Sequence, residues 1–297
     1  MEQILSFATY LVVVTSIFAM MSFSLDLQVG SCGIANFGQV AFLLAGGYVT
    51  AVAADHGVGP AASLALATLA GGFFGLLLAA TVRNMSGTYW GILSLAMAEL
   101  LRLVVLNEKW IAGGASGETV KRSVGKFEFV VIGATILIYL LMRVIAVSPF
   151  GRVIKLIREG DRLPLSLGKH VTIFKAEAMF IGGAIGGLAG AFYAFENRYI
   201  NPDDGLPVET FILWAMVILG GRGNPTGVLV GTIVVQTLYV GTRYLTTIVP
   251  ISADTLSALR LVAIGILVVL IMMYRPQGLL PERRRVFDVA SGGRGAS

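Results

Sequence analysis

The chain has 297 residues, 56% of them hydrophobic and 13% charged, and a mean hydropathy of +0.82. Soluble domains carry about 25% charged residues, so a water-soluble globule is excluded and a bilayer is the expected solvent. The formal charge is +5, and the single cysteine, Cys32, with only His56 and His170 as histidines, excludes an internal disulfide and argues against a Cys or His metal centre. Glu2 stands where the basic region of a cleavable leader would be, so the first apolar run is read as a retained span. A span needs about 20 apolar residues. By that measure the chain-order segments are 4–23, a glycine-broken 27–54, 60–82, 89–106, 127–147, 174–195, a short 209–220, 226–245 and 255–274. The fold class expected is all-α: a polytopic integral membrane protein of about eight to ten helices with broken or re-entrant segments. Residues 1–280 form its membrane domain, and the polar tail 281–297 is read as disordered.

The first irregular stretch, residues 29–42, is VGSCGIANFGQVAF. Gly30, Gly33 and Gly38 weaken a continuous helix, and Asn36 and Gln39 bring amides to membrane depth. Freed backbone groups there are tolerated only beside protein or a water-filled cavity. Asn36 and Gln39 are therefore candidates for a substrate path; the alternative is close packing with both amides bonded to a neighbour. In the fourth segment Glu99 and Arg102 stand three residues apart on one helical face. A charge in hydrocarbon costs roughly 3 kcal/mol on insertion scales. Glu99 is thus another path candidate, against the alternative of an internal ion pair. Trp90 and Trp110 bracket this span as aromatic belts do, and the long loop 107–126 is expected over the external mouth.

Residues 148–172, SPFGRVIKLIREGDRLPLSLGKHVT, form the one long polar segment inside the apolar sequence. Pro149 and Gly151 mark the end of the preceding span. A helical stretch covers 152–159, and Pro164 suits the first turn of a second short helix. Such a segment either fixes topology as a basic cytoplasmic loop or is a lever that something in the cytoplasm grips. Beyond it, Gly182, Gly186 and Gly190 recur every four residues, as do Gly183 and Gly187, making a ridge suited to close helix crossing. The stretch Gly220-Gly221-Arg222-Gly223-Asn224-Pro225 reads as a turn. Its glycine spacing faintly matches that of Gly30–Gly38, as weak repeats in transporters do. Gln236 is a lone amide in a span, lining a path or bonding a neighbouring helix.

Basic residues set the orientation. With 148–172 and the tail both cytoplasmic, the inner set includes Arg83, Arg143, Arg152, Lys155, Arg158, Arg162, Lys169, Lys175, Arg222, Arg275, Arg283, Arg284, Arg285 and Arg294. The largest opposing group is Lys109, Lys121, Arg122 and Lys126. Nine spans then put the N-terminus outside, and a re-entrant 27–54 would put it inside. No P-loop, HExxH or GxSxG pattern is present, nor a run of intramembrane carboxylates. An energy source within the chain is not visible.

These residues resemble the LivM-type permeases of ATP-binding cassette importers for branched-chain amino acids. Four stretches carry the resemblance: LDLQVGSCGIANFGQVAFLLAGGYV; SGTYWGILSLAMAELLRLV; SPFGRVIKLIREGDRLPLSLGKHVTIFK; and VILGGRGNPTGVLVG with YRPQGLL. Together they cover about residues 25–281. The resemblance implies that 148–172 contains a coupling helix docking on an ATPase, with Arg158, Glu159, Asp161, Arg162, Pro164, Leu167 and Gly168 as its contact residues. Leu163-Pro164 departs from the family, which has two small residues there, and this alters the expected helix shape. It further implies a second permease of the LivH type, two cytoplasmic ATPase subunits that hold ATP and magnesium, and a periplasmic solute-binding protein. The binding protein would dock on 107–126 and 198–207. The chain itself would bind no cofactor, catalyse nothing and contact lipid but no nucleic acid, in the bacterial inner membrane. Relatives that carry urea or short amides, an ATP-independent channel or carrier, and a purely structural subunit are the alternatives.

Overall fold

The computed structural model describes residues 2–82, 87–108, 113–120, 126–245 and 253–282. The sequence-read positions Met1, Arg83, Lys109, Trp110, Lys121, Arg122 and the tail from 283 onward lie outside them. The helices are α1 (Glu2–Leu25), α2 (Val40–Asp55), α3 (Pro60–Val82), α4 (Gly87–Asn107), α5 (Phe127–Val147), α6 (Pro149–Glu159), α7 (Arg162–Ser166), α8 (Val171–Asn197), α9 (Pro207–Gly220), α10 (Pro225–Leu245) and α11 (Ala253–Tyr274). Five stretches among the described residues are long and apolar enough to cross a membrane: Ser6–Ser31, Pro60–Val82, Tyr89–Asn107, Phe127–Val147 and Val171–Asn197. Shorter apolar helices cover Val40–Asp55, Pro207–Gly220, Pro225–Gly241 and Ala258–Tyr274. The chain is thus an all-α polytopic membrane protein, and each sequence-read segment has its helix.

One boundary differs from the sequence reading. The first helix does not stop before Asp26 but continues as a π-helical turn, Asp26–Ser31. Hydropathy breaks at Asp26, yet its carboxylate is buried and accepts a hydrogen bond from the Gly223 amide at 2.7 Å. After Ser31 the chain runs without regular helix to Gln39, and α2 begins only at Val40. The second traverse therefore begins with irregular chain and is completed by helix.

α8 is the axis of the bundle, and its glycine rows explain why. A methyl group at Gly187 would run into the Ala67 carbonyl oxygen of α3, and one at Gly71 of α3 into the Gly183 carbonyl oxygen. On the adjacent row, Gly190 abuts the Leu43 carbonyl and Gly186 the Phe42 side chain of α2, while Gly182 abuts the Gln28 amide. One helix thus packs backbone to backbone against two neighbours, the small-residue mode of membrane helices.

Lys155 and Glu282 form an ion pair at 2.7 Å, so α6 and the chain after α11 share one end of the bundle. That end also carries Arg152, Arg158, Arg162, Lys169, Lys175, Arg222 and Arg275, which marks it as the inner end. α1 runs toward it and starts at the opposite end, as the nine-traverse reading requires. At the outer end a two-residue strand, β1 (Glu118–Thr119), pairs antiparallel with β2 (Tyr199–Ile200) in the register Glu118↔Ile200. The adjoining 3₁₀ turn Pro202–Gly205 is closed by a capping box between Asn201 and Asp204. Burial pushes the Asp204 carboxyl above its ordinary range, against the backbone hydrogen bond from Asn201 that lowers it.

Candidate coupling joint and buried amide network

Ser148 caps α6: its hydroxyl accepts from the Gly151 amide at 3.0 Å, and Pro149 occupies the first turn. Gly151, Ile154 and Ile157 form the buried face, while Phe150 stacks on Phe174 of α8 at 6.0 Å. α6 therefore lies against the bundle instead of leaving it. A turn at Gly160 leads into α7, and Gly168, with φ at 71°, turns the chain back toward α8. Lys175 on α8 holds Asp161 at 2.8 Å. Pro164 is buried, whereas Leu163, Leu165 and Leu167 are 54%, 58% and 61% exposed. Glu159 and Arg162 are also exposed. A cleft of about 650 Å³ opens behind this elbow, between Cys32, Ile34 and Trp90 on one side and Gly160–Leu163 on the other.

Arg158 faces the other way. Its guanidinium donates to the Gly30 carbonyl on the π turn and pairs with Glu282 at 2.9 Å. Its backbone packs against Gly33, where a φ of 76° disfavours any side chain and an added methyl group would press tightly on Arg158. The resemblance places Arg158 among the residues that meet a partner; within this chain it contacts Gly30, Gly33 and Glu282. Glu282 is the residue that sequence reasoning missed. It lies beyond α11, where the chain straps back: the Leu279 and Leu280 amides donate to the Leu219 and Gly220 carbonyls, and Asn224 donates to the Leu280 carbonyl. Asp26 completes the joint through Gly223. A lone carboxylate inside an apolar run was the available signal for Asp26; no periodicity points to Glu282.

Burial alone would push the Glu282 carboxyl up, but the hydrogen bond from Lys155 and the charge of Arg158 overrule it and hold it below the ordinary carboxylate range. A depressed carboxylate stabilises the folded joint fully above its unfolded pKa and loses that contribution as pH falls through the folded value. The protection of the Leu279 and Leu280 amides, taken relative to intrinsic exchange at each pH, is therefore expected to fall as the medium is acidified below about pH 4, and Glu282→Gln is expected to remove that pH dependence. Acid-insensitive protection in the native chain would contradict the assignment.

Asn36 and Gln39 are fully buried and bonded. The Asn36 amide donates to Gln28 at 2.7 Å and to Gln39 at 3.2 Å, its side-chain oxygen accepts from the Gly38 amide, and its carbonyl accepts from Trp214. Gln39 donates to Ser24 at 2.7 Å, and Ser24 in turn to the Gly182 carbonyl. The network substitutes for the missing helix between Ser31 and Val40, tying it to α1, α8 and α9. Glu99 accepts two bonds from Arg102, at 2.6 and 2.9 Å, and Arg102 reaches Asp203 at 3.6 Å. Gln236 lies apart from both groups on α10, 1% exposed, with a side-chain oxygen that has no partner among the described residues.

The arrangement is a membrane bundle whose inner end carries an amphipathic helix linked to several traverses. Comparison with known proteins bears on what it does. The high-affinity branched-chain amino acid transport system permease protein LivM of Salmonella typhimurium is 28% identical over 94% of this chain and 71% of its own length. That of Escherichia coli is 27% identical over the same shares. The probable branched-chain amino acid transport permease protein LivM of Methanocaldococcus jannaschii is 26% identical over 90% of this chain and 91% of its own. No solved structure matches the chain. The family model described as branched-chain amino acid transport system / permease component matches residues 7–273, and the chain belongs to that family.

Proposed function

We propose that this chain passes branched-chain amino acids through the bacterial inner membrane as the permease of an ATP-driven importer. The partners in this reading are a second, LivH-type permease, two cytoplasmic ATPase subunits and a periplasmic solute-binding protein. ATP and magnesium belong to the ATPases, and this chain performs no chemistry of its own. The relatives' names favour these substrates over urea or short amides, and an importer over an ATP-independent carrier.

One observation supports the mechanical part most directly: Leu163, Leu165 and Leu167 protrude at the inner end, where a polar face would be expected in water. They suit an apolar groove on the ATPase. Closure of the ATPases would push α7, and α6 would pass the motion on. Because Arg158 holds Gly30 and Glu282 together, the push would reach α1 and the α9–α10 turn as well as α5. Access would then alternate around the broken second traverse.

The test is the triple variant Leu163→Glu, Leu165→Glu, Leu167→Glu in the assembled complex. All three side chains are exposed, so the permease is expected to fold normally. Co-purification of the ATPases and ATP-driven leucine uptake should both fall at least about tenfold, since burying three unpaired charges is strongly unfavourable. Undiminished association and uptake would defeat the docking assignment.

A further inference from the structure

The outer halves of α9, α10 and α11 enclose a second charged group that the coupling joint does not involve. Tyr239 of α10 donates from its hydroxyl to Glu209 of α9 at 3.2 Å. Arg260 of α11 stacks its guanidinium 3.6 Å from the Tyr239 ring centroid and donates to the Tyr239 carbonyl at 3.2 Å. The two opposite charges thus share one tyrosine, yet no ion pair joins them among the described residues. The Arg260 Nε is buried and lacks a hydrogen-bond partner there. Nearby, Tyr193 of α8 donates to Asp204 at 2.9 Å, so a second carboxylate borders the group.

Depth makes the group informative. Arg260 lies about 10 Å of helix below Ala253, and Tyr239 about 9 Å below Leu245, at 1.5 Å per residue. A charge such as that of Arg260 at this depth is costly and by default functional, whereas Glu209 lies in the first turn of α9 at the outer end. A purely structural pair would be expected to close, since contact neutralises both charges. Here a tyrosine ring holds them apart, with donor capacity left on the arginine. One turn deeper on α10, Gln236 offers its own unpartnered buried oxygen.

We propose that Glu209, Tyr239 and Arg260 form a transient site for a zwitterionic α-amino acid on its way inward. Arg260 takes the carboxylate through its planar donors, and Glu209 takes the ammonium. Tyr239 orients both, and Gln236 receives the ammonium as the ligand moves one turn down. The site rests on the importer reading above, and supplies the charge complementarity that the neutral Asn36–Gln39 network lacks.

The experiment uses the complete complex with its ATPases in proteoliposomes, presented with binding protein and radiolabelled L-leucine. Uptake and ATP hydrolysis are measured together for the native complex, Arg260→Gln, Arg260→Lys and Glu209→Gln. Arg260→Gln and Glu209→Gln are expected to lower leucine moved per ATP by about tenfold or more, the effect of losing a charge-assisted bond, while hydrolysis stays within about twofold. Arg260→Lys should recover much of the uptake because the charge returns. A purely structural role would instead lower uptake, hydrolysis and the yield of monodisperse complex in parallel, and that result overturns the site. Unchanged leucine per ATP in both neutral variants overturns it too. If the native complex moves no leucine with ATP, the importer reading itself fails, a result distinct from either.

Discussion

Gly187→Leu is expected to prevent the chain from accumulating in folded form, the largest effect of any single exchange considered. α8 crosses α3 with Gly187 against the Ala67 carbonyl and Gly71 against the Gly183 carbonyl, so the obstacle to a side chain is backbone on both sides. Overpacking a core that can shift costs about 1–3 kcal/mol. Here nothing can rotate away, and the helices must separate, losing close packing along the whole crossing. In lipid that packing is the main force holding helices together, because the hydrophobic effect is already satisfied. Gly133 of α5 is the control, since a side chain there meets open space. Gly133→Leu should give native yield and thermal stability in detergent, whereas Gly187→Leu should give neither. Equal behaviour of the two variants would show that the α3–α8 crossing is not the packing axis.

Glu282→Lys is expected to separate ATP hydrolysis from transport. Glu282 sits 2.7 Å from Lys155 and 2.9 Å from Arg158, with its side chain 20% exposed. Reversal places three positive charges in a half-buried joint. Losing the pair alone should cost on the order of 2 kcal/mol, between the values for exposed and buried pairs, and repulsion adds to it. The C-terminal strap would then leave the α9–α10 turn, and Arg158 would keep its bond to Gly30 and its pairing with Glu159 at 3.7 Å but lose its link to the strap. The leucines of α7 are untouched, so the ATPases should still bind and still hydrolyse ATP. Uptake is expected to drop more than tenfold, with Glu282→Gln showing a smaller loss. Native uptake by Glu282→Lys would mean that α6 drives the traverses through α5 alone.

The sequence by itself determined the class of molecule and the position of its spans. Burying apolar surface in lipid requires long apolar helices, and that requirement is local, so it can be read from residues 60–82 or 127–147 without knowing any neighbour. The four-residue glycine period of α8 is local for the same reason. The amphipathic turn from α6 to α7 was also visible, because Pro149, Gly160, Pro164 and Gly168 punctuate it. The tertiary structure decided what each irregular or charged residue meets. Asp26 continues a helix instead of ending one because the Gly223 amide, 197 positions away, satisfies its carboxylate. Arg158 turns into the chain because Glu282 and Gly30 converge on it, and the first of those lies beyond the last span. Asn36 and Gln39 bond to Gln28, Ser24 and each other because the backbone between Ser31 and Val40 is unwound. A charge or an amide has no preferred partner until folding sets its distances, since its energy depends on which opposite group arrives within a few ångströms.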